Sequence, residues 1–264
     1  MHLSYRKFFL IAAICLRIHV MAKAQSVDAG RQNVNIVFIG NSITYGGGLK
    51  NPATEAPPVS AVAWLRTQAE VGTVSFKNMG FSGHTTLDFL PGSGRDFNQV
   101  ERAVASFEDS KAQLVFSLIL GTNDSAVKGP HGAPVSPQSY EKNLRAIANQ
   151  LLKQYPGCKL VFQQPIWYSP NTHNRGATYD ADGLERLQSY FPVIRAVVKS
   201  YRITHPNQVF LGDKKAFKFF KHHAEDYFQH EDGVEGVFFL HPNKMGAVKL
   251  GEFWAKAIYR TVLN

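Results

Sequence analysis

Four short polar segments contain the residues of this sequence that could take part in catalysis. Ser42 stands in Gly-Asn-Ser directly after an apolar run, and Gly83 stands in Asn-Met-Gly-Phe-Ser-Gly after another. Asn123 lies in Gly-Thr-Asn-Asp, and His241 lies in His-Pro-Asn at the start of the last helical pattern. Taken singly, each has an ordinary structural explanation: a helix cap, a tight turn, an Asx-turn or a structural histidine.

The elements that must position these segments alternate along the chain. Short apolar runs, several of them β-branched or aromatic, predict strands at residues 35–40, 74–78, 114–121, 159–164 and 208–212. Amphipathic patterns predict helices at residues 60–71, 97–106, 137–155, 184–201 and 243–262. Nearly continuous apolar strands are typical of a parallel sheet that is covered on both faces. We therefore predict a three-layer α/β/α sandwich with a mainly parallel five-stranded sheet, in which ligands bind beyond the carboxyl ends of the strands.

The first residues of the chain have the pattern of a secretory signal peptide. Residues 1–24 contain a basic start, a short apolar run and an Ala-Lys-Ala tripeptide that ends at Ala24. Arg17 and His19 interrupt the run, which is therefore too short and too polar for a spanning helix. We predict cleavage after Ala24, a single domain over residues 25–264, a periplasmic or extracellular location and no stable membrane anchor.

The net charge does not indicate a nucleic-acid-binding protein, and the histidines do not indicate a metal site. Part of the formal net charge of +9 comes from basic residues of the signal segment, and the remaining lysines and arginines form no long run. His222 and His223 are adjacent and point in different directions on a helix, which makes them a poor pair of metal ligands. Together with His230 they are predicted to be surface residues. We predict no metal, no cofactor and no nucleic-acid partner.

Together, the four polar segments resemble the four sequence blocks of the SGNH (GDSL-like) hydrolases, in the order that this family has. The resemblance extends over about residues 35–250, nearly the whole predicted domain. It implies a flavodoxin-like fold and an esterase in which Ser42 is the nucleophile and His241 its general base. It also implies an oxyanion hole formed by the backbone N–H groups of Ser42 and Gly83 and by the side chain of Asn123.

These residue types suit acyl transfer. A serine hydroxyl is a poor nucleophile at neutral pH until a positioned imidazole accepts its proton. Negative charge then develops on the former carbonyl oxygen of the ester, and preorganised donors around that oxygen stabilise the transition state.

Two positions depart from the pattern of the family. Asn41 precedes the nucleophile where the family usually has Asp, and this nearly isosteric amide is expected to preserve the loop by hydrogen bonding. The acid of the family's triad usually stands three residues before the histidine, and here Phe238 occupies that position.

Three alternatives remain for the group that orients His241. A backbone carbonyl near Phe238, or a water, would leave a Ser-His dyad, which is the alternative we favour. Glu235 or Asp232 would be the third triad member if the loop that contains Gly233 folded so that one of these carboxylates contacted the imidazole of His241. Because the usual triad acid is absent, a further alternative is a pseudoenzyme that has this fold and binds a ligand without catalysis.

The substrate is predicted from what surrounds the site. Trp167 and Tyr168 follow the fourth predicted strand, where they are either core residues or a wall on which a sugar stacks. The sequence has no long apolar lid segment, so we expect a polar small-molecule or glycan ester, with an O-acetylated carbohydrate as the leading candidate. The alternatives are a lysophospholipase or thioesterase of the same family and a glycan-binding pseudoenzyme.

Overall fold

The structure is a computed structural model that describes residues 30–92, 95–129, 131–174 and 176–263. The predicted signal segment, residues 1–24, lies outside the described residues, so its cleavage and the location that follows from it stay predictions. Among the described helices, none combines the length and the apolar character that crossing a membrane requires.

A five-stranded parallel sheet forms the centre of the molecule. The strands of the described residues are β1 (Gln32–Gly40), β2 (Val71–Gly80), β3 (Gln113–Ile119), β4 (Lys159–Phe162), β5 (Thr172–His173), β6 (Thr178–Tyr179), β7 (Val209–Leu211), β8 (Glu231–Gly233) and β9 (Gly236–Phe238). The sheet has the order β2-β1-β3-β4-β7, and all of its neighbouring pairs are parallel. Strands β5 and β6, and strands β8 and β9, form two small antiparallel hairpins. The predicted fold class and the five predicted sheet strands are confirmed.

Helices cover both faces of this sheet. The helices of the described residues are α1 (Ser42–Tyr45), α2 (Pro52–Glu55), α3 (Pro57–Leu65), α4 (Asp96–Ala105), α5 (Pro137–Gln154), α6 (Ala181–Thr204), α7 (Ala216–His222), α8 (Ala224–Tyr227) and α9 (Lys244–Val262). The five predicted helices correspond to α3, α4, α5, α6 and α9. The helix predicted for residues 60–71 ends earlier, at Leu65, because the chain turns there and β2 begins at Val71.

The alternation of side chains along β1 explains the three layers. Val37 and Ile39 belong to a core shared with α4, α5 and α6, whereas Ile36 and Phe38 belong to a second core shared with α3, α7 and α9. Successive residues of a strand point to opposite faces, so a strand that is apolar at every position is buried on both sides. The central strand therefore fixes the carboxyl-end loops between two packed layers.

Two tyrosines hold the loop that follows β3. The Tyr140 hydroxyl donates to the backbone oxygen of Leu120 at 2.8 Å, and the Tyr190 hydroxyl donates to that of Asp124 at 3.0 Å. Their rings stack with centroids 4.0 Å apart. Helices α5 and α6 thus position the segment that contains Asn123.

Asp124 is fully buried in this loop. Its Oδ1 accepts a hydrogen bond from the backbone nitrogen of Thr86 at 2.9 Å and another from the Thr86 hydroxyl. Its Oδ2 has no hydrogen-bond partner among the described residues. Burial disfavours the ionised carboxylate and raises the pKa of Asp124 to about 6.

We expect Asp124 to make the free energy of unfolding fall as the pH rises from about 4 to about 6. An aspartate in an unfolded chain has a pKa of about 3.9, so in this interval the native state binds a proton that the unfolded state releases. The shift corresponds to roughly 2 to 3 kcal/mol lost by pH 7. Asp124→Asn should lack this component, which urea unfolding of both proteins over the pH range would measure. Parallel pH profiles would contradict the assignment.

Candidate active site

Ser42 is the first residue of the short helix α1, which follows β1 after the single residue Asn41. The preceding residue, Asn41, is buried and caps this helix: its Oδ1 accepts a hydrogen bond from the backbone nitrogen of Ile43 at 3.0 Å. Such a cap requires one side-chain oxygen, which Asn and Asp both supply. The structure therefore gives a physical reason why an amide serves at the position where the family usually has a carboxylate.

Two glycines allow the backbone around Ser42 to pack tightly. A Cβ atom added to Gly40 would lie 2.0 Å from the Thr44 hydroxyl oxygen, and one added to Gly80 would lie 2.2 Å from the backbone nitrogen of Tyr45. Because the second of these contacts is with backbone, a side chain at Gly80 would displace α1. The last residues of β1 and β2 are thus packed directly against α1, which begins at Ser42.

Ser42 and His241 form a hydrogen-bonded pair although 199 residues separate them in the sequence. The serine Oγ lies 2.8 Å from Nε2 of the imidazole. His241 follows β9 and precedes α9, and both side chains are partly exposed to solvent. The structure therefore brings the two predicted catalytic side chains together at the carboxyl end of the sheet.

The other nitrogen of the imidazole faces the carboxylate of Glu231. Nδ1 of His241 lies 2.9 Å from Oε2 and 3.0 Å from Oε1 of Glu231, and the backbone nitrogen of His241 donates to Oε1 at 3.0 Å. A carboxylate accepts and does not donate, so it favours the tautomer that carries its proton on Nδ1. Nε2 is then left as the acceptor for the Ser42 proton, as a general base requires.

The short hairpin of β8 and β9 explains how Glu231 reaches this position. In its register Glu231 pairs directly with Phe238, the residue three positions before the histidine. Directly opposite residues of an antiparallel pair are neighbours on the same face. Phe238 occupies the position where the family usually has its acid, and Glu231 supplies the carboxylate from the neighbouring strand, directly opposite Phe238.

The three alternatives predicted for the orienting group are all corrected by this geometry. Nδ1 faces the Glu231 carboxylate, which the sequence analysis did not consider, instead of a backbone carbonyl or water. Glu235 stands in the turn of the hairpin and forms an ion pair with His173 at 3.3 Å. Asp232 follows Glu231 in β8, so it points to the opposite face of the strand, and it is exposed.

Asn123 is buried, and its side-chain amide is held on both sides. Its Oδ1 accepts a hydrogen bond from the Tyr179 hydroxyl at 2.6 Å, and its Nδ2 donates to the backbone oxygen of His84 at 2.8 Å. An amide nitrogen has two N–H donors, so one bond to His84 leaves the second for a ligand. Burial raises the pKa of Tyr179 far above its usual value, which keeps this hydroxyl protonated as a donor. The sequence analysis did not identify Tyr179.

Gly83 lies in a turn that is tied to both neighbouring segments. The backbone nitrogen of His84 donates to the oxygen of Phe81 at 3.2 Å, and Gly83 between them has a φ of +81°. That backbone conformation favours glycine. The nitrogen of Phe81 in turn donates to the oxygen of Gly40, one residue before Asn41. The segments of Ser42, Gly83 and Asn123 are therefore linked by backbone and amide hydrogen bonds.

Gln229 is a further residue that the sequence analysis missed. Its Nε2 donates to the backbone oxygens of Gly47 and Pro242, at 2.9 and 3.0 Å, and its backbone nitrogen donates to the oxygen of His241. A Cβ atom on Gly47 would lie 3.2 Å from Cβ of Ser42 and 3.3 Å from Cδ2 of His241. Gln229 thus joins the loop beside the nucleophile to the segment of the histidine.

Of the two interpretations predicted for Trp167 and Tyr168, the structure supports the core and not the sugar-stacking wall. Tyr168 is fully buried, and its hydroxyl lies 3.0 Å from that of Ser125. Trp167 is only 9% exposed, and its ring packs edge-on against Phe228. Both residues belong to the cores on the two faces of the sheet, because consecutive residues after β4 turn to opposite sides.

The histidines have different surroundings from one another. His222, His223 and His230 are exposed, as the sequence predicted. His84 and His131, in contrast, lie close to Asp88, and each of the three offers a ligand atom within 4.8 Å of the others. The sequence analysis did not anticipate this group, which three residues from two separate loops create.

The comparisons with known proteins agree with this geometry. The family model of the GDSL-like lipases and acylhydrolases matches residues 38–248. No curated protein sequence matches the chain at a significant level.

Solved structures with the same fold include several esterases. A carbohydrate acetylesterase from Sinorhizobium meliloti aligns with a TM-score of 0.57 and 16% identity, over 86% of this chain and 99% of that one. An aryl esterase from M. smegmatis gives 0.56 and 15%, over 86% and 99%. A lipase/acylhydrolase from Enterococcus faecalis gives 0.56 and 16%, over 85% and 94%.

At 15–16% identity, these solved structures show only that the fold is shared. The family match, in contrast, extends from β1 into α9 and includes all four polar segments. The chain belongs to the GDSL-like lipase/acylhydrolase family of carboxylic ester hydrolases.

Proposed function

We propose that this protein is an exported serine esterase that removes O-acetyl groups from carbohydrates. The observation that carries the proposal is the hydrogen-bonded series from Ser42 through His241 to Glu231. Asn123 is held in the loop after β3, the strand next to β1. Export rests on the signal pattern of residues 1–24. The family supports an ester hydrolase, and the acetyl group and the carbohydrate are what the proposal adds to it.

In the proposed reaction, Oγ of Ser42 attacks the carbonyl carbon of the ester while Nε2 of His241 takes the hydroxyl proton. The charge that develops on the carbonyl oxygen is stabilised by the N–H groups of Ser42 and Gly83 and the second N–H of Asn123. His241 then gives its proton to the alcohol that leaves. Water, deprotonated by the same imidazole, hydrolyses the acyl-serine. Glu231 stabilises the imidazolium in both halves of the reaction.

The shape of the site supports a small acyl group on a polar alcohol. The side chains of His241 and Glu231 are 17% and 24% exposed, so an extended polar substrate can approach the pair from solvent. A Cβ atom added to Gly47 would already lie 3.2 Å from Cβ of Ser42 and 3.3 Å from Cδ2 of His241, so a bulky group has little room between this loop and the catalytic pair. This favours a short acyl chain, with the carbohydrate on the solvent-exposed side of His241 and Glu231.

One observation favours a second candidate, a lysophospholipase or arylesterase. Tyr45 and Met245 are 47% and 58% exposed, and they stand three and four residues after the two catalytic side chains. Exposed apolar side chains at the edge of a site can bind an acyl chain or an aromatic ring. A substrate panel separates the two candidates.

We expect the purified protein to release acetate from acetylated glycans faster than fatty acid from lysophospholipid, and Ser42→Ala to release neither. A fluorophosphonate probe should label Ser42 of the parent protein, located by peptide mass spectrometry, and leave Ser42→Ala unlabelled. Labelling with preferred fatty-acid release would support the second candidate. An unlabelled and inactive parent protein would indicate a glycan-binding pseudoenzyme.

We expect Glu231→Gln to lower kcat by roughly a thousand- to ten-thousandfold, because an amide favours the wrong imidazole tautomer and removes the charge that stabilises the imidazolium. Glu235→Gln and Asp232→Asn are matched controls, since each removes one carboxylate from the same hairpin, and each should stay within about tenfold of the parent. Steady-state kinetics of folded variants measures the difference. Equal losses in Glu231→Gln and Glu235→Gln would refute the assignment of Glu231.

We expect Asn123→Ala to lower kcat by about a hundredfold with a smaller effect on KM, because its amide serves the transition state more than the ground state. Tyr179→Phe should lower kcat less, since it keeps the amide and removes only the hydroxyl that orients it. A change confined to KM in Asn123→Ala would make this residue a substrate contact and would contradict its place in the oxyanion hole.

A further inference from the structure

A group of three residues beside the predicted oxyanion loop has the composition of a metal site. The His84 cluster consists of His84, Asp88 and His131, each of which offers one ligand atom within 4.8 Å of the other two. Two imidazoles and one carboxylate are ligands that Zn²⁺ and similar divalent ions bind. No part of the proposed ester hydrolysis uses these three side chains.

Each member of the cluster is held in place by neighbouring groups. His84 is 9% exposed, and its Nδ1 is hydrogen-bonded to the buried carboxylate of Asp96. A carboxylate on one ring nitrogen orients the imidazole and raises its basicity, as in the carboxylate–histidine–zinc arrangement. Nε2 of His84 is then the nitrogen available to an ion.

Asp88 and His131 are fixed in a similar way. Oδ2 of Asp88 accepts a hydrogen bond from the backbone nitrogen of Thr85 at 2.9 Å, while its Oδ1 lies 2.7 Å from Nδ1 of His131. The Thr85 hydroxyl donates to the backbone oxygen of His131 at 3.0 Å. His131 has a φ of +56°, a conformation that a non-glycine residue adopts at a cost. The backbone thus holds this ring against the cluster.

Arg95 already brings positive charge to the same place. Its Nη1 lies 3.3 Å from Oδ1 of Asp88 and 3.2 Å from Nδ1 of His131. A guanidinium only donates, and Nδ1 of His131 donates to the same carboxylate oxygen, so two N–H groups converge on Oδ1 of Asp88. A metal ion bound there would take the place of both, with the Nδ1 proton released to solvent. The Arg95 side chain is 56% exposed and can turn outward, whereas Asp88 is buried.

We propose that His84, Asp88 and His131 form a site for a divalent transition-metal ion, Zn²⁺ in the first instance, with Arg95 in that position when the ion is absent. Three protein ligands leave a coordination position for water or for a substrate oxygen. The backbone oxygen of His84 accepts the hydrogen bond from Asn123, and Gly83 precedes it. A bound ion would therefore stiffen the loop that carries the proposed oxyanion donors.

The test is Zn²⁺ binding to the chelator-treated full chain, measured by competition with a chromophoric chelator and by isothermal titration. Ser42→Ala provides a background in which binding is independent of esterase activity. We expect one equivalent of Zn²⁺ to bind and to raise Tm. His131→Asn removes the imidazole but tolerates the left-handed backbone, and it should abolish both effects. His222→Asn, at an exposed histidine, should leave them unchanged.

Two further variants separate a metal site from a hydrogen-bonded cluster. Asp96→Asn should weaken Zn²⁺ binding by about ten- to a hundredfold, because it removes the group that orients His84. Arg95→Ala should bind Zn²⁺ more tightly, because it removes the competing cation. Absence of stoichiometric binding in the parent protein, or equal binding in the parent and His131→Asn, would overturn the proposal.

Discussion

The arrangement of the site depends on the bond between the His241 imidazole and the Glu231 carboxylate. An imidazole can accept the serine proton at Nε2 only if its own proton stays on Nδ1, and the carboxylate fixes that tautomer. Glu231 also accepts the backbone N–H of His241, so one side chain holds both the ring and the main chain of the base. The hairpin of β8 and β9 supplies the register that makes this possible.

The parallel sheet provides the rigid support for the other half of the site. Ser42, Gly83 and Asn123 follow β1, β2 and β3, three adjacent strands whose carboxyl ends meet at one edge. The turn of Gly83 bonds to Gly40, and Asn123 bonds to the backbone beside Gly83. Donors held in this way need no reorganisation as negative charge develops, which is the physical basis of oxyanion stabilisation.

The sequence was sufficient for the sheet and for the serine–histidine pair. Strands such as β1 are apolar on both faces, so their pattern is strong, and the blocks around Ser42 and His241 match those of the family. The sequence did not decide the place of Trp167 and Tyr168. Aromatic residues after a strand were open to two interpretations, and only packing shows that both are core residues.

Glu231 was missed because its relation to His241 is not a fixed spacing. It stands ten residues before the histidine and reaches the imidazole only through the pairing of β8 with β9. The sequence does contain a signal for that register: Gly233 and Gly236 bracket a two-residue turn, and counting outward from them pairs residue 231 with residue 238. The His84 cluster had no comparable signal, because its members come from separate loops.

The most direct measurement of the central claim is the tautomer of His241, read from two-bond ¹⁵N–¹H correlation spectra of protein with labelled imidazoles. Resonances are assigned by comparison with a His241→Asn variant. At a pH where the imidazole is neutral, the parent protein and Glu235→Gln should carry the proton on Nδ1, and Glu231→Gln should lose this preference. A parent protein with the proton on Nε2, or a tautomer unchanged in Glu231→Gln, would contradict the account.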